Sequence, residues 1–254
     1  MSPPPDGTIP PLYQDPEAPA PPSSIRARVN ETFSTLREVA LMARDIAPVV
    51  PEEVHPGEDV VVLVHGFFAS AGVFRPMRAR LVEHTGAKVA SFTHAPGVRI
   101  ERIAKSLAKL VARIPHGAHV HLVGHSLGGL VARWYVQELG GHERVVQTVS
   151  LGSPFGGTER ARRFNFLVGA DLHRRSPVLA RLRARAHEHD VPHTSVVAED
   201  DMMVVPCESA VFPRGDVVVL PRLGHNTLLF HRDSITHVVD RVKRHQKAKK
   251  KAHR

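Results

Sequence analysis

The chain has 254 residues and a net charge of +9, from 34 Lys and Arg against 25 Asp and Glu. That length holds one ordinary α/β domain or two very small ones, and the composition is that of a globular protein. A single cysteine, Cys207, excludes an intrachain disulfide, and no apolar run reaches the ~18 residues that a membrane-spanning helix requires.

Residues 1–24 hold nine prolines and three acids but no Lys or Arg, which reads as a disordered or polyproline lead. The opening MSPPPDGTIP has neither the basic nor the apolar region of a cleaved secretion signal. A cytoplasmic or membrane-peripheral location is therefore expected. From residue 25 to 47 the pattern turns helical. Val29, Phe33, Leu36, Ala40, Ala43 and Ala47 recur at three- and four-residue spacing, with Arg28, Glu31, Arg37 and Glu38 between them. This stripe predicts an amphipathic helix docked on the domain. A membrane-interface role is disfavoured because the polar residues carry both signs of charge.

Strand-like runs follow at 60–64, 88–93, 119–123, 145–151, 194–198 and 217–220. Helical patterns alternate with them, at 76–85, along the face Ile100, Ile103, Ala104, Leu107, Leu110, Val111 and Ile114, at 127–139 and at 232–245. Continuous apolar strands such as Val60-Val61-Val62-Leu63-Val64 suit a sheet buried on both faces. The alternation predicts an α/β protein with a mostly parallel sheet of about six strands. Residues 158–190 interpose a short helical cap with eight arginines among apolar residues. Residues 243–254 hold seven Lys and Arg and no acid, which predicts a solvated, disordered basic tail. Cap and tail are the candidate contacts for an anionic membrane surface. No aromatic residue is interleaved with the tail, so nucleic acid is not an expected partner.

Catalytic groups in such sheets lie beyond the carboxyl ends of the strands. After the third strand comes Gly124-His125-Ser126-Leu127-Gly128-Gly129, a G-x-S-x-G between a strand and a helix. The sharp turn exposes the Ser126 hydroxyl, and the glycines leave room for the turn. After the first strand, His65-Gly66-Phe67-Phe68 is placed to supply a backbone N–H from Phe67 to an oxyanion, with Leu127 giving the second. After the fifth strand stand three acids, Glu199-Asp200-Asp201, one of which would point inward. After the sixth, His225 sits where the last strand yields to the last helix. A serine nucleophile needs a base and an orienting acid, in the order Ser, acid, His. The histidines of 187–193 and the pair His119 and His121 lack a four-ligand zinc pattern and read as surface or packing residues.

These pieces resemble the α/β-hydrolases, and within them the small bacterial triacylglycerol lipases and esterases. Val64-His65-Gly66-Phe67, the Ser126 motif, Leu151 to Thr158, Asp201-Met202-Met203-Val204 and Leu223 to Leu229 occur in that family's order over roughly residues 58–240. The resemblance implies Ser126 as nucleophile, His225 as base and Asp201, rather than Asp200, as the orienting acid. It also implies His65, Phe68 and Phe155 as substrate contacts. The expected activity is hydrolysis of carboxylic esters, of acylglycerols or other acyl lipids, without metal or organic cofactor. An acyltransferase or phospholipase with the same triad is the alternative enzyme. A non-catalytic lipid- or nucleic-acid-binding protein is the alternative of another class.

Overall fold

The computed structural model describes residues 25–45, 47–51, 53–164 and 169–252. The Pro-rich lead of residues 1–24, part of the cap (165–168) and the last two residues of the basic tail lie outside the described residues.

Six strands form one parallel sheet: β1 (Asp59–Val64), β2 (Lys88–Phe92), β3 (His119–His125), β4 (Val145–Leu151), β5 (His193–Ala198) and β6 (Asp216–Leu220). Their order across the sheet is β2-β1-β3-β4-β5-β6, and every adjacent pair is parallel. The period-two alternation of a strand sends its side chains to two cores. In β1, Val60, Val62 and Val64 join one apolar cluster, whereas Val61 and Leu63 join the other. The first cluster is closed by α3 (Ile100–Val111) and α4 (Leu127–Glu138). α3 buries Ile100, Ile103, Ala104, Leu107, Leu110 and Val111, the face legible in its sequence. The second cluster is closed by α2 (Arg75–Thr85) and the last helix, α7 (Arg232–Ala252), through Met77, Leu81, Val238 and Val242. Between β4 and β5 the cap includes α5 (Gly169–Leu172) and α6 (Pro177–Ala184).

Two expectations are corrected. The first helix, α1 (Ile25–Met42), ends before residue 47, and its apolar stripe faces outward. Val29, Phe33 and Leu36 are exposed, and the helix docks through Glu31, Ser34 and Thr35 instead. Periodicity fixes which residues share a face, and here polar hydrogen bonds decide which face docks. The second correction concerns the basic tail. Residues 243–252 are not a disordered end but the continuation of α7. Lys and Ala are strong helix formers, no Gly or Pro interrupts the run, and cations suit a helix C-terminus. Lys249 Nζ also donates to Gly57 O at 2.7 Å. In the cap, four of the eight arginines are held by contacts within the protein. Arg181 and Arg185 pair with Glu138, Arg174 with Glu159, and Arg183 donates to Phe155 O at 2.7 Å. Among the described residues no helix is long and apolar enough to cross a membrane.

Candidate active site

At the carboxyl end of β3 the chain turns sharply into α4. Ser126 sits in that turn with φ 53° and ψ −121°, a left-handed value that a non-glycine residue adopts only under constraint. The constraint is visible. Ser126 N donates to Leu151 O at 2.8 Å, fixing the turn against β4. A Cβ at Gly124 would collide with the Gly128 and Gly129 backbone, and one at Gly128 with the Val64 carbonyl. Both glycines are therefore required by close approach. Leu127 begins α4, so its N–H belongs to the first turn, where no intrahelical acceptor exists. From the β1 side, Gly66 comes so near that a Cβ on it would lie 3.0 Å from Ser126 Cβ. This brings the Phe67 backbone beside the serine.

The loop after β5 turns Asp201 inward. Its Oδ1 accepts hydrogen bonds from Met203 N and Val204 N, both at 2.8 Å. Its Oδ2 accepts from His225 Nδ1 at 2.7 Å, with both side chains buried. Asp200 remains partly exposed and contributes its backbone N–H to Leu223 O. Burial alone would lower the His225 pKa. The charge and hydrogen bond of Asp201, with Glu31 and Glu38 behind it, more than offset this and leave it raised. His125 is wholly buried and held neutral by burial, and its Nε2–H donates to His225 O at 3.2 Å. It props the main chain of the residue that carries the imidazole.

Ser126 and His225 line one cavity of about 390 Å³, with Phe67, Phe68, Met203 and Val204 among its apolar walls. Phe68 lines this cavity. His65 and Phe155 do not. His65 is fully buried, its Nε2 accepting the His94 N–H and its ring stacked 3.9 Å from that of His94. Phe155 lies in the core against His193 and Phe212. Both shape the fold beneath the cavity and neither lines it.

The wall that sequence reasoning missed comes from α1, which contributes Thr35, Glu38, Val39 and Met42 to the cavity. Glu31 anchors it to the His225 loop. Its carboxylate accepts from Asn226 N (2.8 Å), Thr227 N (3.1 Å) and Thr227 Oγ1 (3.0 Å). A Cβ at Gly224 would strike that carboxylate, so the glycine before His225 makes room for it. Burial pushes Glu38 up to about 7, against the pull of His225. The available signal was the polar set Glu31, Ser34, Thr35 and Glu38, which shares a helix face at three-, four- and seven-residue spacing.

Far from this cavity, at the amino ends of the strands, Asp59, His121 and His245 bring potential metal-ligand atoms within 4.8 Å of one another. Hydrogen bonds within the protein account for two of the cluster's three members, Asp59 and His121. Gln147 Nε2 donates to His121 Nδ1, leaving His121 Nε2–H to donate to Asp59 Oδ1 at 2.9 Å. Of the other histidines considered as ligands, His193 is buried against Thr148 and Ser150, and His189 stacks on His142.

A six-stranded parallel sheet flanked by helices, with a serine in the β3–α4 turn, makes this chain an α/β-hydrolase. The sequence profile of the palmitoyl protein thioesterase family matches residues 60–197, more than half the chain, and the chain belongs to that family. Solved structures agree on the fold. Aspergillus fumigatus lipase B is similar at 18% identity and a TM-score of 0.64, over 78% of this chain and 56% of that one. This chain thus spans little more than half the length of that lipase. Bacillus licheniformis lipase BlEst2 in its mature form matches at 15% identity and a TM-score of 0.58, over 72% of this chain and 91% of its own. The type II thioesterase BorB from the borrelidin biosynthetic cluster matches at 20% identity and a TM-score of 0.54, over 79% and 97%. Comparison with the curated proteins returns no match.

Proposed function

We propose that the protein hydrolyses acyl esters or thioesters through Ser126, His225 and Asp201, with an acyl-enzyme intermediate. The observation that carries this reading is the buried 2.7 Å hydrogen bond from His225 Nδ1 to Asp201, in the wall of the cavity that Ser126 also lines. With Nδ1–H committed to Asp201, neutral His225 holds its lone pair on Nε2, the form a general base needs.

In this mechanism Ser126 Oγ attacks the acyl carbonyl as His225 takes its proton. Asp201 keeps the imidazole in the productive tautomer and stabilises its charged form. The N–H groups of Phe67 and Leu127 receive the oxyanion, each worth roughly 3–4 kcal/mol of transition-state stabilisation. His225 then protonates the leaving alcohol or thiol. A water molecule repeats the sequence on the acyl-enzyme, which releases the acid and restores Ser126. The apolar walls at Phe68, Met203 and Val204 suit the hydrocarbon part of an acyl chain. The profile match to palmitoyl protein thioesterases favours including thioesters in the substrate class.

The test is a matched series of p-nitrophenyl esters and acyl-coenzyme A thioesters of rising chain length, assayed with the intact chain and with Ser126→Ala. Turnover of either series that disappears in Ser126→Ala supports the proposal. Turnover that survives the substitution, or none from the intact chain on any member, contradicts it.

A further inference from the structure

α1 carries its apolar stripe on the side turned away from the protein. Ile25, Val29, Phe33, Leu36 and Val39 are between 48% and 83% exposed. Their spacing of three and four residues puts them on one face. The opposite face, with Ala27 and Ser34 buried and Glu31 and Glu38 half-buried, docks on the domain. A helix bathed only by water has the reverse arrangement.

Three further observations bear on what covers the stripe. First, Val39 belongs both to the stripe and to the cavity wall, and two other lining residues, Phe68 and Met203, are 45% and 41% exposed. The outward apolar surface thus reaches the mouth of the cavity. Second, the charges of α1 are sorted. Its two acids turn inward, Glu31 to the His225 loop and Glu38 into the cavity wall, whereas Arg28 is exposed, as is Arg44 just beyond the helix; Arg37 is also exposed, with its guanidinium over the Phe230 ring at the domain edge. Mixed charge along the sequence becomes apolar and cationic on the outer side. Third, the Lys-rich end of α7 lies at the other end of the sheet, where Lys249 contacts Gly57 and Asp59. A flat surface that meets the cavity mouth does not meet that end.

We infer that the outer face of α1 is a lipid-docking surface, seated on a bilayer that contains anionic phospholipid, with the mouth of the catalytic cavity turned toward the lipid. The apolar stripe enters the boundary between head groups and acyl chains, and the arginines meet the anionic head groups. The inference deepens the acyl-ester reading, because it states where the acyl substrate would come from. The docking itself does not require catalysis.

The experiment is co-sedimentation of the full chain with phosphatidylcholine vesicles, with and without one-third phosphatidylglycerol. Two variants accompany it. Phe33→Ser/Leu36→Ser alters exposed positions that do not line the cavity, and Lys247→Gln/Lys250→Gln/Lys251→Gln neutralises the end of α7. The intact chain is expected to bind the anionic vesicles more tightly than the neutral ones. Phe33→Ser/Leu36→Ser should lower the partition coefficient at least ~tenfold while leaving hydrolysis of a water-soluble short-chain ester unchanged. The α7 variant should stay within about twofold of the intact chain. A Phe33→Trp variant should show a blue-shifted emission with anionic vesicles.

The inference is overturned by absence of binding, by equal binding of Phe33→Ser/Leu36→Ser and the intact chain, or by a loss confined to the α7 variant. An emission of the Phe33→Trp variant that vesicles leave unshifted also overturns it. So does a concentration-dependent dimer that the α1 variant abolishes while vesicles go unbound, since a second copy would then be the cover. Failure of the intact chain to hydrolyse the soluble ester counts against the catalytic reading alone, because vesicle binding is measured separately.

Discussion

Replacing Asp201 with Asn removes one charge and keeps the shape. Two backbone donors, Met203 N and Val204 N, hold Oδ1 at 2.8 Å, so the asparagine oxygen takes that position and the amide nitrogen faces His225. The nitrogen donates where the carboxylate accepted the 2.7 Å bond from His225 Nδ1. Nδ1 must then act as acceptor, and the proton moves to Nε2, where the lone pair is needed. The expected loss in kcat/KM is ~10³- to 10⁴-fold at neutral pH, about 4–5.5 kcal/mol in the barrier. Thermal stability should change little, because the two backbone hydrogen bonds survive. Asp200→Asn is the control. Asp200 donates only its backbone N–H, to Leu223 O, and that bond is indifferent to the side chain. Its rate should stay within about threefold of the parent. The assay is steady-state hydrolysis of the best soluble ester or thioester, with circular dichroism melts of all three proteins. A larger loss at Asp200 than at Asp201 would overturn the assignment of Asp201 as the orienting acid.

Four other outcomes follow, three from the geometry of this site and one from the buried Asp59. With neutral His225 as the proposed base and its pKa raised, kcat/KM should fall as pH drops through a midpoint above the ordinary histidine value. Anionic Glu38 favours the imidazolium, so Glu38→Gln should move that acid limb to lower pH, and a shift upward or none would count against the assigned proximity. Gly224→Ala pushes a methyl into the Glu31 carboxylate and should displace either α1 or the His225 loop, with a rate loss on the order of ten- to a hundredfold in single-turnover hydrolysis. Asp59 is partly desolvated, which would raise its pKa, but hydrogen bonds from His121 and Gln246 hold it at about 2. A depressed carboxylate stabilises the fold above the unfolded-state value near 3.8, and the gain is lost as pH falls toward 2. Asp59→Asn should therefore cost about 1–3 kcal/mol at neutral pH by urea denaturation and flatten the pH dependence between those values.

The parts legible in the sequence are those that chemistry ties to local spacing. Gly124, Ser126 and Gly128 mark the turn because the turn itself forbids side chains at both flanking positions. The strands fell within two residues of their observed ends because apolar runs of that length between helical patterns have few other uses in an α/β chain. His225 could be singled out by its position after β6, whereas position after β5 left three acids open and only the family resemblance pointed to Asp201, 24 residues before it.

What escaped depends on direction. His65 and Phe155 lie beside the right loops, but their side chains point into the core, which a residue's position in a motif does not reveal. The periodicity of α1 defined a stripe without saying which face docks. That choice rests on Glu31 meeting backbone N–H groups about 195 residues away in the chain. That two of the cap arginines, Arg181 and Arg185, pair with Glu138 from α4 was likewise beyond the reach of local spacing. The end of α7 read as disordered because its charge was weighed and its helix propensity was not.

The proposed catalysis requires Ser126 to be an activated nucleophile in a site that His225 serves. Intact-protein mass spectrometry after brief exposure to a fluorophosphonate reads this most directly. One adduct is expected per chain, localised to Ser126 by peptide mapping, absent in Ser126→Ala and strongly slowed in His225→Ala. An unlabelled chain, or an adduct that persists in Ser126→Ala at the parent rate, would contradict it.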